Sequence, residues 1–181
     1  MKKLLYACMV MGVLALRTSV ACAEPMTIEQ AYATVAHPYL IFNPHLTTAP
    51  QDESRYLIQL FHLIDLSVKE RVETLTWIQS HGARGDDTDA YGRLLAQFRA
   101  LTPPAKLASV HQLTLSAIQE QRAVLNEWRA HPEQVSMNHP LVHSSSQKLH
   151  QAYNAVVSLY HAENRQNQAA FYNYFCCLDF L

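Results

Sequence analysis

Apolar residues recur along most of this chain at steps of three and four. Between Asp52 and Ser80 the positions Leu57, Leu60, Phe61, Ile64, Val68, Val72, Leu75 and Ile78 fall on one stripe, which predicts a helix roughly 40 Å long. Asp52 or Ser54 is expected to cap its start, and Gly82 to end it. Two glycines and three acids between Ser80 and Asp89 then mark a turn. Asp87 or Thr88 caps a second, shorter helix carrying Tyr91, Leu94, Leu95, Phe98 and Leu101, and Pro103-Pro104 closes it.

A third stripe, Leu107, Val110, Ala117, Ile118, Leu125 and Trp128, predicts a helix running to about Ala130. His131-Pro132 and His139-Pro140 bracket a polar linker. Val142, Leu149, Ala152, Tyr153, Val156 and Tyr160 follow as a fourth helix, and Phe171, Tyr174, Phe175 and Leu178 as a fifth. Upstream, Thr27 to Ala36 reads as a short helix, after which Pro38 and Pro44 make the stretch to Pro50 an irregular segment crossing over the helices. Period-two patterning is almost absent and glycine occurs only 4 times. Amphipathic helices on short links bury their stripes against one another, so the fold class is all-α: an antiparallel four- to five-helix bundle with an irregular N-terminal crossing segment.

The first residues place this bundle in a compartment. Met1-Lys2-Lys3, an apolar run from Leu4 to Leu16 and the small-residue site ending at Ala23 form the three parts of a secretory signal peptide. Residues 1–23 are therefore expected to be cleaved, leaving 24–181 as one domain in the periplasm or outside the cell. The apolar run is shorter than a membrane span requires, which disfavours a retained anchor and any transmembrane span after cleavage. Lipidation at Cys22 is a further alternative, weakened by Ser19 where such signals carry a leucine-like residue. Without Lys2, Lys3 and Arg17 the chain carries four more acids than bases, a balance that argues against nucleic acid as a partner. Cys176 and Cys177 are the cysteines left after cleavage, and adjacent helical residues cannot close an unstrained bridge. Two semi-buried thiols are the plain reading, and an intersubunit disulfide or a strained vicinal pair the sharper one.

Several motif chemistries find no support. The zinc-protease, C-x-x-C, covalent-haem and nucleotide-phosphate patterns are missing. Ser145-Ser146-Gln147-Lys148 matches S-x-x-K, but its companion motifs and the sheet that holds them are lacking, so Ser144, Ser145 and Ser146 read as helix-start caps. Arg84-Gly85-Asp86 matches the adhesion tripeptide, a pattern short enough to arise by accident.

Polar residues on inward faces carry the remaining chemistry. Arg71 lands beside Ile64 and Leu75, while His111, Thr114 and Gln121 fall within the inward stripe of the third helix. Such groups need partners. Either Asp65 or Glu120 pairs with Arg71, and His111 bonds Gln121 or a tyrosine of a facing helix, or Arg71, His111 and Gln121 line a small-molecule, metal or haem site in the core. His62 and Asp65, three residues apart, are the candidate metal ligands. Leu63, Leu66 and Trp77 form a second apolar face on the long helix that must be covered by the crossing segment, a protein partner or a second subunit. The functional expectation is an exported, non-catalytic partner- or ligand-binding bundle, with its cofactor, if any, unidentified.

Overall fold

Five amphipathic stripes become five α-helices in the computed structural model, which describes residues 41–81 and 90–180. They are α1 (Gln51–His81), α2 (Ala90–Ala100), α3 (Ala108–Ala130), α4 (Pro140–Leu159) and α5 (Arg165–Leu178), with 3-10 turns at Ala105–Leu107 and Pro132–Gln134. The expected signal peptide and Cys22, the Thr27 to Ala36 helix, the Gly82 stop and the Arg84-Gly85-Asp86 turn lie outside the described residues.

Cross-helix contacts give the directions. Tyr56 meets His111 and Thr74 meets Arg129, so α1 and α3 run parallel, with α2 returning the chain between them. Glu120 meets Ser144 and Lys148 while Glu127 meets His139, which sets α4 antiparallel to α3. Ser146 meets Asp179 and Tyr160 meets Phe171, so α5 turns back again. Successive helices thus alternate up and down, the all-α bundle that short links between amphipathic helices favour. The α3–α4 pair forms the most extensive interface.

The expected inward residues fill one core: Leu57, Leu60, Ile64, Phe98, Ile118, Trp128, Leu149 and Phe171 are each fully buried. One end is aromatic. Phe61 stacks on Tyr174 at 4.3 Å and meets Phe42 and Phe171 at 5.6 and 5.8 Å. Phe42 belongs to the crossing segment, whose described part, residues 41–50, is irregular and lies over the bundle as expected. The anchors are polar as well as apolar. Asn167 accepts from the Asn43 amide (2.7 Å) and donates to its carbonyl (3.1 Å), and Glu163 accepts from Thr47 Oγ1 (2.6 Å) and the Thr48 amide (3.0 Å).

Helix starts differ from expectation in two places. Pro50, not Asp52 or Ser54, stands at the head of α1, its carbonyl accepting from the Ser54 amide at 2.8 Å. The cap of α4 is His139, whose Nδ1 accepts from the Leu141 amide at 3.1 Å. Pro140 at the first helical position shifts the start upstream, so Ser144, Ser145 and Ser146 lie inside the helix rather than capping it.

Candidate functional site: a buried clasp on the end of the fifth helix

A helix end leaves its last carbonyls without intrahelical donors, and a left-handed glycine often helps satisfy them. Helix α5 ends in Cys177-Leu178-Asp179 without a glycine, and Asp179 turns out in an extended conformation (φ −71°, ψ 149°). Its carbonyls are served from across the bundle. Arg71 Nη1 donates to the carbonyls of Leu178 (2.5 Å) and Asp179 (2.8 Å), and Nη2 to that of Cys177 (2.5 Å). Gln121 Nε2 adds a bond to Leu178 at 2.7 Å.

Arg71 and Gln121 arrive there because each sits within an apolar stripe, on α1 and α3 respectively, at the level where α5 finishes. Arg71 is 5% exposed. Burial draws its pKa down, while Tyr91, Asp179 and Cys177 oppose that shift. A guanidinium fork matches a cluster of carbonyls, and a cation at a helix C-terminus meets the negative end of the helix dipole. Phe180 lies across the guanidinium at 5.0 Å and meets the Trp128 ring edge-on at 5.7 Å. The buried Asp179 carboxylate accepts from Ser146 Oγ at 2.7 Å and stands 3.3 Å from His150 Nε2. Two buried atoms of α3 in this region have no hydrogen-bond partner, Gln121 Oε1 and Trp128 Nε1.

The structure therefore brings Arg71 and Gln121 together and holds His111 apart from them. His111 Nδ1 shares a hydrogen bond with Tyr56 Oη at 2.9 Å, so its partner is a tyrosine of a facing helix. Burial lowers the His111 pKa and raises that of Tyr56, so both are neutral at pH 7. Neither Asp65 nor Glu120 pairs with Arg71. Glu120 instead accepts from Ser144 and Lys148. Ser145 is fully buried and donates to the Val142 carbonyl at 2.9 Å, away from the Lys148–Glu120 pair, so the S-x-x-K match assembles no nucleophile–base contact.

His62 and Asp65 stand exposed on the outer face of α1, and among the described residues no group of three or more His, Cys, Asp or Glu side chains is placed to hold a metal ion. Leu63 is buried, and Leu66 and Trp77 are partly buried against the same core. The second apolar face is thus covered largely by the chain itself. Cys176 is exposed and Cys177 half-buried, the Cys177 thiol donating to Asn173 Oδ1 at 3.6 Å.

A second polar cluster, near the start of α1, escaped sequence reasoning. Tyr160 Oη donates to Glu53 Oε2 at 2.6 Å, and Lys106 Nζ stands 3.6 Å from the same oxygen and 4.9 Å from the Tyr160 ring centroid. Glu53 reads as a surface acid in the first turn of a helix, and only the return of α4 past that turn buries it.

Among the described residues no helix is long and apolar enough to cross a membrane. No family model, curated protein or solved structure matches the chain.

Proposed function

We propose that this chain is an exported, non-catalytic helical bundle that binds a protein partner through its surface. The carrying observation is that the polar residues in the core direct their hydrogen bonds at the chain itself. Arg71 and Gln121 hold the end of α5, and His111 holds Tyr56. Groups committed in this way serve to fix helix positions, which favours the scaffold reading over a core site for a small molecule, metal or haem. Export is supported by the basic, apolar and small-residue succession of residues 1–23.

Recognition then falls to the surface. Tyr172 on α5 is 57% exposed and meets Tyr153 of α4 edge-on at 5.7 Å. Rigid aromatic pairs of this kind supply contact area at low entropic cost and often anchor interfaces. The test is mild crosslinking in the export compartment, followed by purification and native mass spectrometry. A defined polypeptide crosslinked to the wild type and lost in a Tyr172→Ser variant of unchanged melting temperature is the expected result. A stoichiometric small molecule or metal ion bound to the purified protein would overturn the reading.

A further inference from the structure

We infer that a cleft between α1, α2 and α3 is an oxyanion site that receives an acidic side chain of the polypeptide partner. This inference rests on the partner-binding reading above and names the chemistry of a second contact. The cleft is walled by Tyr91 of α2 and Leu125 of α3, both buried, and its polar groups are Thr74 of α1 with Arg122, Asn126 and Arg129 of α3. Steps of four and then three residues return those three α3 side chains to one face of the helix, so they line the same wall. Ala90, the first residue of α2, brings the positive end of that helix's dipole to the cleft. The volume, about 240 Å³, lies below the roughly 300–1,000 Å³ of pockets that enclose an organic ligand, which favours one small charged group over a nucleotide or a haem.

Arg129 is the group that points to a ligand. Its guanidinium belongs to a half-buried residue, and among the described residues its hydrogen bonding amounts to Nη2 reaching Thr74 Oγ1 at 3.5 Å, a long bond to a neutral hydroxyl. A guanidinium fork suits the parallel bonds that a carboxylate or phosphate accepts, and a half-buried fork with one weak bond gains by taking such a group. Arg122, which has an interaction of its own, adds a second positive charge on the same wall. Glu70 is the acid that opposes them. Burial raises its pKa and Glu73 raises it further, while Arg93, Lys69 and Arg129 pull it down. Its charge therefore reaches Arg129, yet among the described residues no acid forms an ion pair with that guanidinium.

Inorganic phosphate probes the chemistry, titrated into the full chain against sodium chloride at equal ionic strength and followed in the amide proton–nitrogen correlation spectrum. The amides of Thr74, Ala90 and Asn126 are expected to shift saturably with phosphate and not with chloride. Arg129→Gln should weaken the apparent affinity at least tenfold, and Glu70→Gln should strengthen it at least threefold by removing the opposing charge. Arg99→Gln, exposed near the far end of α2, should leave it unchanged. Shifts that chloride reproduces, or an affinity that neither Arg129→Gln nor Glu70→Gln alters, overturn the inference, and Glu70→Gln decides it where Arg129→Gln fails to fold. Crosslinking in the export compartment then tests the source of the oxyanion. With Arg129→Gln, which removes no lysine, the yield of the crosslinked polypeptide should fall at least fivefold. Wild-type yield from that variant, even with phosphate binding intact, means that the cleft takes a free ion and overturns the inference. The two readings fail separately: no polypeptide crosslinked to the wild type ends both, whereas a partner lost on Tyr172→Ser but kept on Arg129→Gln ends only this one.

Discussion

Arg71 shows what a single inward charge does in a bundle core. Its three bonds go to carbonyls at the end of α5, so removing the guanidinium takes three charge-assisted bonds from that helix end and leaves Gln121 on Leu178. Arg71→Met is expected to lower stability by about 3 kcal/mol, read from the urea midpoint. Arg71→Lys should lose about half as much, since one ammonium cannot span the same fork. The exposed His62→Ala serves as the control and should stay within about 0.5 kcal/mol. Equal midpoints for wild type and Arg71→Met would show that the fork contributes nothing.

Two other residues predict a pH response with a definite sign. Burial lowers the His111 pKa below the ordinary histidine value of 6.5. For Glu163, burial pushes the pKa up, but hydrogen bonds from Thr47, the Asn164 and Thr48 amides and Asn167 outweigh it, so the value falls below 4.5. In both cases the unfolded chain takes up a proton before the folded one. Each therefore contributes stability that is present above its unfolded pKa and is lost as pH falls through its folded pKa. Thermal melts should show His111→Gln flattening the loss that begins below pH 6.5, and Glu163→Gln flattening the separate loss that begins below pH 4.5. Unchanged slopes in the two variants would assign the acid sensitivity to other groups.

At the scale of elements, periodicity was a good guide where burial is one-sided. The stripes on α1 and α3 identify the inward residues and even mark Arg71 and Gln121 as misplaced polar groups, because a helix face is a local property of spacing. Their partners were not legible. The acceptors are main-chain carbonyls, which carry no residue signature, and the Arg71 bonds span more than a hundred residues of sequence. The same reason hid Glu53, Glu163 and Asn167, ordinary surface residues by composition that another segment happens to cover. Capping misled in the opposite direction. Three consecutive serines look like a helix start, yet Pro140 fixes the start earlier and leaves His139 to cap it. His139 can do so because Nδ1 accepts from Leu141 while Nε2 donates to Glu127 at 3.2 Å, which assigns the ring its tautomer.

Across the whole molecule, the crossing segment joins ends of the chain that the helices alone leave separate. Residues 41–50 touch the bundle by apolar packing, Phe42 on Phe61 and Phe171, and by hydrogen bonds, Asn43 with Asn167 and Thr47 and Thr48 with Glu163. If each contact acted locally, their contributions would add. Phe42 and Asn43 are adjacent in a short irregular segment, so this part of it should instead leave as a unit, since losing either anchor releases the backbone order that the other needs. Phe42→Ala is expected to cost about 3 kcal/mol and Asn167→Ala about 2 kcal/mol. The double variant should then fall short of their sum by about 1 kcal/mol or more, a coupling that a denaturant double-mutant cycle resolves. Limited proteolysis supplies an independent reading, with cleavage within residues 41–50 accelerating in both single variants to a similar extent. Strict additivity, together with cleavage that responds to only one substitution, would mean that the segment is pinned at separate points and not as one strap.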